Sequence, residues 1–249
     1  LSSIGSDLNI ARNGSLENLS SLDNLLSIEG NLNIGGNGSL ENLSGLDNLT
    51  SIGGSLGIDG NDSLINLTGL EGLHSVNGSL TIGERWGYGN PSLVDLSGLD
   101  NLSNIVGGVS IQNNPSLINL AGIGELDSLG SNLEITDNDA LISLSGLENI
   151  VHIMGDLRIS QNHSLVSLAG LENLSSIEGD FYIGLGGYYD NIESKNGDNQ
   201  NLTSLVGLHK LESVGGNVSI SGNPSLTSLS GLENLEAIGG SLYIGLIIN

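Results

Sequence analysis

Residues 32–40 read LNIGGNGSL. The phrasing returns at 56–64 as LGIDGNDSL and at 218–226 as VSISGNPSL. Leu32 and Ile34 alternate with Asn33, the pattern of a short half-buried strand. Gly35 and Gly36 supply a corner, and a fixed Asn follows it. Working outward, the chain aligns on Ile4, Ile28, Ile52, Val76, Ile105, Leu129, Ile153, Ile177, Val214 and Ile238; seven of the nine intervals are 24 residues and the others are 29 and 37. Numbered from the Asn, one coil reads N-x-S-L-x-x-L-x-G-L-x-x-L-x-x-I-x-G-x-L-x-I-x-x. Apolar residues fall at positions 4, 7, 10, 13, 16, 20 and 22, with no room for a long helix. One coil cannot bury its own inward face, so neighbours must stack. The expectation is one all-β solenoid over 1–249, a right-handed β-helix-like stack of about ten 24-residue leucine-rich coils.

Composition agrees. The 249 residues include 39 glycines and only seven aromatics (one Trp, five Tyr, one Phe), too few for one thick core. The net charge is −23, with Arg12, Arg85, Arg158, Lys195 and Lys210 the only lysines and arginines. Such a surface repels nucleic acid and anionic membranes. The chain has no cysteine, which excludes disulfides and thiolate chemistry. No run of 18 apolar residues exists, so no transmembrane segment is expected. The chain starts at Leu1 rather than Met, as expected for a mature product or a fragment.

The stretch L-x-I-x-x-N-x-x-L resembles the leucine-rich-repeat consensus. The whole coil, with its SLSGLENL phrasing, is similar to the receptor L-domain family of β-helix-like leucine-rich coils. That resemblance covers the chain outside its two insertions. It implies an extracellular or cell-surface protein. The absence of cysteine sets this chain apart from growth-factor receptor ectodomains and nearer to microbial or algal surface proteins.

Several columns recur in register. Position 1 is Asn13, Asn37, Asn61, Asn90, Asn114, Asn138, Asn162, Asn199 and Asn223, expected to form a structural ladder whose amides satisfy backbone groups at the bend. Glycines at positions 9 and 18 read as corners needing positive φ or close backbone approach. Position 11 is acidic in most coils, including Asp23, Asp47, Glu71 and Asp100. Stacked carboxylates about 5 Å apart repel one another. Two readings stay open: solvated carboxylates accepting from turn N–H groups, or bridging Ca²⁺, the one cofactor under consideration. Among the N-x-[ST] sequons, the four on the ladder (Asn13, Asn37, Asn61 and Asn162) are expected to be buried and unmodified, while Asn18, Asn42 and Asn66 at position 6 and Asn48, Asn101 and Asn173 at position 12 are the expected glycosylation acceptors.

Both insertions, at about 83–89 and 184–198, fall at one corner, between the strand end and the ladder Asn. Insertions in solenoids often emerge on a binding face. Trp86, Tyr88, Tyr188 and Tyr189 lie within them, and Tyr182 and Tyr243 stand at outward position 21 nearby. Phe181 alone among the aromatics takes a core position. The six near the corner are the expected binding or assembly residues. His74, His152, His163 and His209 are scattered, with no acid–base pairing legible, so no enzyme is expected. The functional expectation is a non-catalytic extracellular or cell-surface structural or adhesive protein, the subunit or repeating segment of a filament. It would self-associate end to end or side to side. The alternative is a recognition module that binds a glycan or partner protein through the aromatic loops.

Overall fold

The computed structural model describes residues 1–84, 89–184 and 199–245. The chain is an all-β parallel solenoid of about nine turns. One ten-stranded parallel sheet runs its length: Leu8–Ala11, Leu32–Gly35, Leu56–Asp59, Leu80–Ile82, Val109–Gln112, Leu133–Thr136, Leu157–Ser160, Phe181–Gly184, Val218–Ser221 and Leu242–Ile244. Each strand pairs in register with the same coil position of its neighbour, as Leu32 with Leu56 and Ile34 with Ile58. The insertions leave that register intact: Leu80 faces Val109 and Phe181 faces Val218.

The period-24 apolar pattern is the core. In one coil Leu40, Leu43, Leu46, Leu49, Ile52, Leu56 and Ile58 are all fully buried. Phe181 takes the same column as Leu56 and is equally buried. Between strands the path bends at i→i+3 turns, such as Leu40 N–H to Asn37 O at 3.0 Å and Leu46 N–H to Leu43 O at 3.1 Å. The apolar spacing of three thus marks tight turns joined by extended pieces.

The two glycine columns are fixed by different constraints. Position 9 lies at positive φ, from 108° at Gly98 to 121° at Gly207. A Cβ there would also strike the preceding coil, as at 2.1 Å from Leu19 O for Gly45. The first coil carries Ser21 instead, and there the turn becomes the 3-10 helix Ser20–Leu22. A residue with a Cβ avoids that left-handed geometry.

Two further parallel sheets, five two-residue strands each, run along a second side. They cover Ser3–Ile4 to Asn104–Ile105 and Ser128–Leu129 to Ala237–Ile238. The break falls across the coil whose position 11 is Gly124. Its turn bonds, Ile123 N–H to Leu120 O and Leu126 N–H to Ile123 O, are both 3.4 Å.

Candidate functional site

The ladder asparagines stack one above another. Asn37 N–H donates to Asn61 Oδ1 at 3.1 Å, and Asn90 and Asn114 repeat the bond at 3.1 Å. Each Nδ2 donates to the strand-end carbonyl of the preceding coil, as Asn61 to Ile34 O at 2.9 Å. Asn37, Asn61, Asn90, Asn114, Asn138, Asn162 and Asn199 are fully buried. Asn13 departs from the expectation of burial. It is exposed, with its Nδ2 donating to Ala11 O at 3.1 Å.

The acidic column caps the position-9 turns. Asp47 accepts from Gly45 N–H at 2.7 Å, Glu71 from Gly69 at 2.8 Å and Asp100 from Gly98 at 2.9 Å. Glu148, Glu172 and Glu233 do the same. Charge-assisted bonds of this kind are stronger than neutral ones and help offset repulsion along the column. Among the described residues no group of three or more His, Asp or Glu is placed to hold a metal ion.

The sequon asparagines divide by geometry. Asn18, Asn42 and Asn66 turn Oδ1 inward to the N–H two residues on, at 3.3, 3.0 and 3.1 Å. Asn48, Asn101 and Asn173 instead donate Nδ2 to carbonyls of the preceding coil, Asp23, Glu71 and Glu148, at 2.7, 2.8 and 2.7 Å. An N-glycan is attached at Nδ2, the atom that the second trio commits to stacking.

A second ladder at position 19 runs with opposite polarity. In the Asn ladder the earlier coil donates its N–H. Here the later coil does: Ser55 N–H to Asn31 Oδ1 at 2.7 Å, Asp156 N–H to Asn132 Oδ1 at 2.8 Å, and Asn217 N–H to Asp180 Oδ1 at 2.6 Å. The position-18 glycines make room for these side chains. A Cβ on Gly155 would lie 2.1 Å from Asn132 Oδ1, and one on Gly179 2.2 Å from Asp156 Oδ1. The recurrence of Asp, Asn and Ser just after that glycine was the available sequence signal.

Tyr182 and Tyr243 stand on the outer face of the long sheet, two coils apart in one column. The Tyr182 hydroxyl donates to Asp180 Oδ2 at 2.5 Å, and the Arg158 guanidinium lies 5.1 Å from its ring centroid. Burial, the bond to Asp180 and nearby carboxylate charge push the Tyr182 phenol well up, against the pull of Arg158. Burial alone would raise Asp180, but bonds from Tyr182 and from both the N–H and Nδ2 of Asn217 hold it below its ordinary value. Tyr243 is 47% exposed. Trp86, Tyr88, Tyr188 and Tyr189 lie outside the described residues.

One outward column carries a pattern that the inward apolar repeat hides. Position 5 runs Glu17, Glu41, Ile65, Val94, Ile118, Ile142, Val166, Thr203, Thr227. Ile65, Ile118, Ile142 and Val166 are 49, 39, 52 and 49% exposed. Reading the aligned coils down this column, instead of along each coil, exposes the stripe.

No known family model matches this chain, and no curated protein is significantly similar to it.

Proposed function

We propose that this chain is a non-catalytic structural or adhesive protein of the extracellular space or cell surface. In this reading it is a leucine-rich solenoid of the receptor L-domain type and serves as a subunit or repeating segment of a filament. The supporting observation is the use made of its recurring polar groups. The columns at positions 1, 11 and 19 bond main-chain groups of their own or adjoining coils, as in Asn37 to Asn61, Glu71 to Gly69 and Asn31 to Ser55. Polar chemistry that recurs from coil to coil and is spent on main-chain groups serves the shaping and stacking of coils, as a mechanical element requires. Electron microscopy and sedimentation of the purified chain over a range of concentrations test the reading. Polymers or laterally associated rods are expected. A monodisperse 25.5 kDa monomer at high concentration overturns it.

The fixed Tyr182 ring and the exposed Tyr243 favour a second reading, recognition of a glycan or partner protein at the insertion corner. Trp86→Ala combined with Tyr188→Ala separates the two. Glycan binding lost while polymers persist supports recognition.

A further inference from the structure

The position-5 column has three properties that together define a partner. It is continuous: Val94 N–H donates to Ile65 O at 2.9 Å, Ile118 N–H to Val94 O at 2.9 Å, and Ile142 N–H to Ile118 O at 3.1 Å. The side chains therefore repeat at the strand spacing of about 4.8 Å, and Ile65 to Val166 spans roughly 19 Å. It is nearly free of charge on a chain of net charge −23: positions 3–8 of these five coils (63–68, 92–97, 116–121, 140–145 and 164–169) contain Asp95 as their one ionisable residue. That carboxylate accepts from Ser97 N–H at 3.0 Å and from Ser97 Oγ at 2.6 Å. Finally, the column is apolar in the middle and polar on either side, with charge on one side only. Two Glu precede the five-residue apolar stretch, two Thr follow it, and Ile118 is the third of the five.

We propose that this column is the face on which a second copy of the chain packs, side by side and antiparallel, about a two-fold axis through Ile118. The proposal rests on the self-association reading above and specifies its surface. A two-fold contact pairs residue i with j and j with i. Here Ile118 meets its own copy, Val94 meets Ile142, and Ile65 meets Val166. Glu41 then lies opposite Thr203 and Glu17 opposite Thr227, so each carboxylate faces a hydroxyl. A parallel arrangement would set Glu17 and Glu41 against themselves, and like charges directly opposed are destabilising. Acidic columns such as the one through Asp47, Glu71 and Asp100 repel a second copy, and this strip does not. Burial of both stripes removes on the order of 1,000 Å², the lower end for a specific interface, so the contact is weak alone and gains strength by repetition along an assembly.

A chain without cysteine allows a direct test. Under mild oxidation Ile118→Cys should form disulfide-linked dimers at least tenfold faster than Ser103→Cys, an exposed position on another column. Ile65→Cys should not link to itself but should link to Val166→Cys when the two variants are mixed. Ile118→Lys, which sets two ammonium groups together on the axis, should weaken association at least tenfold while its circular dichroism stays that of the parent. Equal linking rates for Ile118→Cys and Ser103→Cys overturn the proposal, as does ready self-linking of Ile65→Cys. If polymers persist while Ile118→Cys fails to link, this face is wrong and the structural reading stands. If the parent chain does not associate at all, both fall.

Discussion

Asn61 N–H donates to Asn90 Oδ1 at 3.2 Å across 29 residues of sequence, the same bond that joins Asn37 to Asn61 at 3.1 Å across 24. The ladder therefore passes the first insertion without a break. Asn162 to Asn199, at 3.1 Å across 37 residues, passes the second. The corner tolerates extra chain because the Asn, and not the length of the corner, sets where the next coil begins.

Mid-ladder substitution should be costly. Asn114→Ala deprives buried Asn90 N–H of its acceptor and removes a donor from each of the Ile82 and Gln112 carbonyls. A loss of about 2–4 kcal/mol in urea unfolding is expected. The same change at exposed Asn13 should cost well under half of that.

The coil without a cap should be improvable. Gly124 holds position 11, so Gly122 lacks the carboxylate that Gly98 and Gly146 have in the coils on either side. A Cβ at Gly124 meets nothing within 4 Å, and beside it lies a depression of about 420 Å³ lined by Asp100 and Glu148 among others. Gly124→Glu should raise stability by roughly 1 kcal/mol through the new bond and a less flexible unfolded chain. No gain in melting temperature would argue that repulsion from Asp100 and Glu148 cancels the cap.

Left-handed backbone at position 24 should respond to residue type. Gln161 has φ 57°, where Gly36 and Gly60 in other coils have 67° and 61°. Thermal melts of Gln161→Gly, Gln161→Asn and Gln161→Val should rank in that order. The valine variant should fall below the parent by about 2 kcal/mol, because a β-branched side chain resists positive φ.

Two carboxyls should give opposite pH signatures. The Asp180 pKa is lowered in the folded chain, so its contribution is present above the ordinary carboxylate range and lost as pH falls through the folded value. Burial first, and the charge of Glu84 second, raise the Asp59 pKa, so its contribution is present at low pH and lost as pH rises through the folded value. Melting curves between pH 2 and 7 check this. Asp180→Asn should destabilise at neutral pH, Asp59→Asn should stabilise there, and both differences should shrink in acid.

The inward columns were legible because burial is a property of each coil: a Leu at position 4 faces the core whatever lies above it. Phe181 was placed for the same reason, by its spacing from Ile183 and Ile177. The outward columns were not, because the partner of each lies a coil away. Whether Asn48 directs its Nδ2 to Asp23 O or to water is decided by a residue 25 positions off. Asn42 and Asn48 look alike in the sequence, N-L-S and N-L-T, yet one accepts within its own turn and the other donates to the coil below.

By itself the sequence determined the solenoid, its 24-residue coil, its seven inward columns and the corner that takes insertions, since periodic apolarity and turn glycines act locally. Only the tertiary structure decided the opposite polarity of the two side-chain ladders, the steric cause of the position-18 glycines and the exposed stripe at position 5. Those depend on the direction of stacking and on how closely coils approach, so that a Cβ added at a position-18 glycine would come within 3 Å of its neighbour, and both arise only when one coil is laid on the next.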